Sequence, residues 1–284
     1  MIMGYNTNGL AFHRWQDAVE LLAEIGYRAV AITIDHHCLN PFSADLPHEI
    51  RALRRLLERH DMRCVIETGA RFLLDSRVKH EPTLMTADPA DRHRRVNYLE
   101  RCIDIAAELE ADAVSFWSGI SRDDIPESQA FDRLVAGCRE VADYAERRSV
   151  QLAFEPEPGM FIETMDQFGQ LMERVDSPRF GLTIDIGHVQ CVETTPIPDV
   201  LRTWKDRLWN VHIEDMRRGV HEHLLFGEGE IDFPPVMQTL AEIEYSGCVN
   251  VELSRHSHVA PQVARDSFEF LAGLLSSKSA PRTE

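Results

Sequence analysis

The chain has 284 residues, of which 44% are hydrophobic and 27% charged, the balance of a folded protein with ample core material. Its formal net charge of −17 opposes general attraction to nucleic acid or anionic membrane, because affinity for phosphate backbones comes mainly from lysine and arginine displacing counterions. No apolar run reaches the roughly 18 residues of a membrane span, and the N-terminus enters a strand-like segment without a basic region and apolar leader. The expectations are a cytoplasmic protein with no nucleic acid and no membrane as partner. The six cysteines are scattered without a Cys-x-x-Cys pair, which argues against a disulfide framework or a thiolate zinc site.

In chain order, eight short apolar runs stand out: 3–6, 29–34, 63–67, 113–117, 151–155, 180–185, 209–213 and 248–252. Between and after them lie segments of helical period at 15–25, 47–60, 91–109, 132–147, 164–175, 198–205, 234–243 and 261–275. Several of these open on Pro, Asp or Thr, as helix N-termini do. Strands alternating with amphipathic helices indicate βα units around a parallel sheet. Eight of each is the count that closes a barrel, so the expected fold is α/β, a single (β/α)8 TIM barrel. It spans residues 1–275, with 276–284 as a flexible C-terminal tail. A doubly wound sheet would carry a Gly-rich phosphate turn after its first strand, and the segment from Gly4 to Gly9 lacks that spacing. The long connection from about Phe72 to Pro89 reads as a functional loop or lid.

A barrel builds its active site where the strands end. The fifth run ends in Glu155-Pro-Glu157, the sixth in Asp185-Ile-Gly-His188, the seventh in His212-Ile-Glu214-Asp215 and the eighth in Glu252-Leu-Ser-Arg255. Four consecutive strands thus present a carboxylate or imidazole. Three carboxylates with one histidine suit one hard or borderline divalent cation, Mn2+, Mg2+ or Co2+, with Zn2+ as the further candidate. Trp117, at the end of the fourth run, would offer an aromatic face to a sugar or cyclitol ring.

These residues, with the loop Gly227-Glu-Gly229-Glu-Ile231-Asp-Phe233, resemble the xylose-isomerase-like superfamily of sugar phosphate isomerases and epimerases. That superfamily includes ketose 3-epimerases, inosose isomerases and dehydratases, and the apurinic-site endonuclease. The resemblance implies that Glu155, Asp185, His212 and Glu252 ligate the metal and that His188 and Arg217 or Arg218 contact substrate. It also places Glu157 near substrate, although Pro156 and Pro158-Gly159 depart from the epimerase pattern. The endonuclease requires a trinuclear zinc cluster with histidines at the ends of strands 3 and 4; here those ends read Glu67-Thr-Gly and Phe116-Trp-Ser-Gly. One of its further features, Asp-x-His before the glycine loop, becomes His221-Glu-His223. His188, His221 and His223 are therefore candidate ligands of a second metal; otherwise the latter two are expected on a mobile, solvated loop or on a loop that meets substrate or a neighbouring subunit.

The activity implied is isomerisation or epimerisation of a small polyol or ketose substrate by proton transfer next to a carbonyl, with Glu155 and Glu252 as catalytic groups. The alternative within the same chemistry is dehydration of a keto-cyclitol or dehydroshikimate-like compound. A phosphodiesterase acting on DNA and a non-catalytic metabolite-binding barrel are the rivals from other classes. A homo-oligomer, dimer or tetramer, is compatible with the sequence.

Overall fold

The computed structural model describes residues 1–276. Eight strands form a closed parallel barrel: β1 (Ile2–Asn6), β2 (Ala29–Thr33), β3 (Arg63–Glu67), β4 (Val114–Phe116), β5 (Leu152–Phe154), β6 (Phe180–Asp185), β7 (Leu208–Ile213) and β10 (Cys248–Val251). A separate antiparallel hairpin, β8 (Asp215–Arg217) and β9 (Val220–Leu224), follows β7. The helices are α1 (Trp15–Ile25), α2 (Leu46–His60), α3 (Pro89–Leu109), α4 (Glu127–Arg148), α5 (Met165–Val175), α6 (Ile186–Val192), α7 (Ile197–Trp204), α8 (Phe233–Glu242) and α9 (Ala260–Ser276). The expected tail begins at Ser276, which instead closes α9; 277–284 lie outside the described residues.

Local chemistry sets these boundaries. In α1 the buried residues Trp15, Ala18, Val19 and Leu22 recur at the spacing of one helical face. The helix ends at Gly26, whose φ of 125° is open to glycine and strained for other residues. Thr164 and Gln167 form a reciprocal capping box at the start of α5. Helix α4 begins five residues before the expected 132, because the chain turns helical directly after Pro126. The seventh run begins one residue earlier than expected, at Leu208, while the fourth and fifth ladders each stop one residue short, at Phe116 and Phe154. Trp117 and Glu155 therefore stand just past the sheet, at the mouth. Two elements were not expected: α6, which starts immediately after Asp185, and the β8–β9 hairpin.

Side chains alternate across a strand, so each barrel strand has one parity facing the helices and one facing the axis. Val30, Ile32, Val114, Phe116, Phe154, Leu182, Val211 and Val251 belong to the large core packed against the helices. Ala29, Ala31, Val65, Ala113, Ala153 and Cys248 form a separate small cluster that plugs the N-terminal end of the barrel. Two residues further along the same parity, the axis becomes polar: Thr33, Glu67, Ser115, Glu155, Asn250. Small residues make room for this layer; a Cβ on Gly4 would lie 2.0 Å from Asn250 Oδ1. A barrel dry at one end and lined with hydrogen-bonding groups at the other is the consequence.

Candidate metal centre

The polar layer is a connected network. Asn250 Nδ2 donates to Asn210 Oδ1 at 3.0 Å, and Asn210 Nδ2 lies 3.3 Å from both Glu67 Oε1 and Thr183 Oγ1. The Thr183 hydroxyl meets that of Ser115 at 2.9 Å. Above them His212, 1% exposed, is held by both ring nitrogens. Its Nε2 is 3.0 Å from Glu67 Oε1, and its Nδ1 is 3.0 Å from Glu155 Oε1 and 2.8 Å from Glu252 Oε2. Asn8 fixes the other side of Glu252, its Nδ2 donating to Oε1 at 2.6 Å.

Asp185 does two tasks. Its Oδ1 accepts the His188 backbone N–H at 2.7 Å and so caps α6, while its Oδ2 is buried without a hydrogen-bond partner. One ligand atom from each of Glu155, Asp185, His212 and Glu252 lies within 4.8 Å of the others. The structure thus brings the four expected ligands together. Two buried carboxylates and a third, half-buried, around one imidazole, with an orphaned carboxylate oxygen among them, fit a divalent cation.

The electrostatics of the protein alone point the same way. Burial pushes the Glu155 carboxyl up to about 8, against the pull of His212. Burial opposes charge on His212 too, but Glu67, Glu252 and Glu155 outweigh it and hold the imidazole protonated well above its usual range. Burial works most strongly against ionisation of Glu252 and Asp185, but the surrounding imidazoles together outweigh it, His212 with His223 and His188 for the first and His188 with His223 and His212 for the second, and both carboxyls sit below their ordinary values. The protein alone thus holds Glu155 and His212 toward their protonated forms, which is how buried clusters of carboxylates offset their charge.

These groups form the floor of a cavity of about 430 Å³, the size of a small-molecule site. Asn6, Glu157, His188, His221 and His223 also face it, as do Trp117 and His80, whose rings meet edge to face at 5.0 Å. Burial and the charge of Glu252 push Glu157 up to about 7. His188 donates from Nδ1 to the Pro156 carbonyl at 3.2 Å, because a carbonyl can only accept. Burial, which outweighs Asp185, takes its pKa down to about 4. Its Nε2 is then a bare acceptor, 3.1 Å from His221 Nε2.

His221 and His223 are not on a solvated loop: both lie on β9, half-buried, and with His188 they bring one nitrogen each within 4.8 Å. Arg217 is not brought to the others. It is exposed and donates to the Glu228 carbonyl at 2.8 Å, and Arg218 bonds the Glu193 carbonyl. The guanidinium groups facing the cavity are those of Arg71 and Arg255, tied to Asp35 at 3.0 Å and to Glu222 at 2.8 Å. Lys79 and His80, from the long connection after β3, also line it.

Sequence reasoning did not find the role of Glu67 behind His212, nor a further convergence of Asp185, Glu214 and His223. Strand parity carried the signal for both glutamates: Glu67 follows Val65 on the axis face, and Glu214 follows His212. The glycine-loop motif has a structural basis. Asp215 Oδ1 accepts from the Met216 and Ile231 amides and Oδ2 from that of Gly227, so Asp215 folds the loop.

Among the described residues no helix is long and apolar enough to cross a membrane. Comparison with known proteins gives relatives at low identity. The chain is 26% identical over 221 residues to an uncharacterized protein of Methanocaldococcus jannaschii, covering 72% of this chain and 69% of that one. It is 25% identical over 229 residues to inosose dehydratase of Clostridium tetani, covering 72% and 74%. Among solved structures, a D-tagatose 3-epimerase-like protein superposes with a TM-score of 0.76 at 21% identity, covering 97% of this chain and 100% of that one. IolI protein, with a bound zinc atom, superposes with a TM-score of 0.79 at 18% identity, covering 98% and 99%. The family model for the xylose isomerase-like TIM barrel matches residues 19–274, and the chain belongs to that family.

Proposed function

We propose that this protein is a divalent-metal-dependent isomerase or epimerase of a small polyhydroxy carbonyl compound. The observation that carries this reading is the convergence of Glu155 and Glu252 on one nitrogen of His212, at 3.0 and 2.8 Å from its Nδ1, on the floor of a polar cavity. Glu155, Asp185, His212 and Glu252 would hold the cation. Bound there, it supplies Lewis-acid polarisation of a substrate carbonyl and its neighbouring hydroxyl, the main cost in removing a proton from the adjacent carbon.

The chain supplies the proton chemistry. Glu155 arrives from β5 and Glu252 from β10, so a carbon held between them meets a carboxylate on each face. Removal by one and return by the other inverts that carbon. Removal and return by a single carboxylate moves the carbonyl instead. Asn6, Asn8 and His188 offer donors and acceptors to hydroxyls, and Trp117 packs on the C–H face of the substrate. Glu157, held near neutral pH by burial, is placed to exchange a proton with a substrate hydroxyl.

Dehydration is the second reading, supported by the inosose dehydratases among the curated relatives. The two separate by product: epimerisation or isomerisation returns a proton and so incorporates solvent deuterium next to the carbonyl, whereas dehydration breaks that C–H bond and the neighbouring C–O bond, forms a C=C bond and releases water. Proton NMR in deuterium oxide across ketoses, inososes, hydroxypyruvate and dehydroshikimate tests both. Absence of both metal-dependent exchange and metal-dependent loss of water with every compound would count against the enzymatic reading as a whole.

A further inference from the structure

Three cationic side chains line the cavity above its acidic floor: Arg71 and Lys79 from the long connection after β3, and Arg255 from the turn after β10. In the strand order β3 stands directly across the barrel from β7, the strand that carries His212. Arg71 gives one nitrogen to Asp35 at 3.0 Å and Arg255 gives one to Glu222 at 2.8 Å, so each guanidinium is braced on one side and open on the other. Lys79 has no ionic partner among the described residues. The floor carboxylates do not supply one, because Glu67, Glu155 and Glu252 are engaged with His212.

A fourth positive charge stands behind this wall. Arg95, on α3, is 4% exposed, has no ionic partner among the described residues and leaves a guanidinium nitrogen buried without a hydrogen bond. Its guanidinium carbon lies 5.8 Å from the centre of the Trp117 ring, which itself lines the cavity. Buried charges are ordinarily paired, because desolvation is costly. His80, on the same wall, registers the sum: after burial, Lys79, Arg95 and Arg71 all act to keep it neutral. In a chain of net charge −17, this wall is a local reversal of sign. Sugar hydroxyls are satisfied by neutral donors and acceptors, whereas a phosphate or carboxylate makes charge-assisted hydrogen bonds with such a wall.

We infer that the substrate carries an anionic group, phosphate or carboxylate, at the end remote from the four candidate metal ligands, and that Lys79, Arg71 and Arg255 bind it. This rests on the isomerase or epimerase reading above and names its substrate class. The carbonyl end meets the floor at His212, and the anion lies across the cavity against the connection after β3. Arg95 contributes potential from behind Trp117 without touching the substrate.

The test is calorimetric titration of the Mn2+-loaded whole chain with D-fructose, D-fructose 6-phosphate and D-fructuronate, which share one ketose head and differ only at the far end. At least one of the two anionic ketoses should bind about 10-fold tighter than fructose, the worth of one charge-assisted hydrogen bond. The advantage should shrink as salt is raised, and whichever compound shows it identifies the group as phosphate or carboxylate. Lys79→Gln and Arg255→Gln, both at exposed positions, should each reduce the advantage while leaving fructose binding as in wild type. Arg77→Gln removes the same charge from the same connection outside the cavity and should leave the advantage intact. Equal affinity for the three ketoses, no binding of any, or an advantage that survives in both Lys79→Gln and Arg255→Gln would overturn the anion site. Solvent deuterium exchange on the same samples reads the isomerase assignment separately. Exchange into fructose with no anionic advantage leaves that assignment standing and removes the anion site; charge-dependent binding without exchange does the reverse.

Discussion

Glu67 Oε1 lies 3.0 Å from His212 Nε2, on the side of the ring opposite the two glutamates that meet Nδ1. A carboxylate accepting from one imidazole nitrogen fixes the tautomer and turns the other toward a metal, and loss of such a partner typically weakens metal affinity about 10- to 100-fold. Glu67→Ala is expected to lower Mn2+ affinity by that order while leaving the four ligands in place. Glu67→Gln, which can still accept from Nε2–H, should recover part of it. Calorimetric titration of metal into the stripped proteins measures the effect. Equal affinities in all three would show that Glu67 only fills space.

Glu155→Gln and Glu252→Gln should separate folding from turnover. Both side chains end in the cavity, and the amide is isosteric, so the variants should fold and show the secondary structure of wild type. Turnover should fall by at least about 100-fold, the usual contribution of a positioned acid or base, along with much of the bound metal. Full activity in either variant would remove it from the catalytic assignment. Glu252→Gln should also disturb Asn8, which donates to Oε1 at 2.6 Å, so its KM should rise as well.

The barrel and the convergence of the four candidate ligands were legible because both depend on short-range pattern. Apolar runs of four to six residues mark strands, and a charged residue ending such a run, as in Phe154-Glu155 or Val251-Glu252, marks the mouth. The β8–β9 hairpin was not legible, because its strands are short, polar and held by Asp215 reaching amides 12 and 16 residues away in sequence. Arg217 illustrates the limit of carry-over from a family pattern: the position is right along the chain, but the hairpin turns its side chain to the Glu228 carbonyl. Helix α6 was hidden for a related reason, since Asp185 serves both as strand end and as helix cap.

His80 gives a pH dependence of stability. Burial, with Lys79 adding to it, takes its pKa down to about 4 from the ordinary 6.5, so the folded protein keeps it neutral where the unfolded chain binds a proton. Between pH 6.5 and 4 the unfolded state holds more protons, and stability must fall as pH falls through that window. The contribution vanishes above pH 6.5, where both states are neutral, and reaches at most roughly 3 kcal/mol near pH 4. Urea denaturation of wild type and His80→Gln from pH 7.5 to 4.5 isolates it: the difference between the two curves should grow as the solution is acidified. A difference constant with pH would contradict the neutral assignment.

Asp215 should govern the order of the glycine loop without touching chemistry directly. It is 2% exposed and accepts from the amides of Met216, Gly227 and Ile231 at 2.9, 2.9 and 3.1 Å. Hydrogen bonds to a charged acceptor contribute about 1.5–3 kcal/mol each, and a buried donor stripped of its partner costs a further penalty. Three such bonds, discounted for the partial solvation of Gly227, put Asp215→Ala at roughly 3–5 kcal/mol of destabilisation. Space is tight as well: a Cβ on Gly229 would lie 2.2 Å from Asp215 Oδ1, so the loop packs directly on the carboxylate. Because β8 begins at Asp215 and pairs with Leu224, loosening this anchor also frees β9 and with it His221 and His223. Asp215→Ala should therefore speed hydrogen exchange at Gly227, Ile231 and the β9 amides while the amides of β5 and β6 stay protected. Uniform loss of protection across the barrel would instead mean that Asp215 supports the whole fold and that the loop and hairpin are not a separate unit.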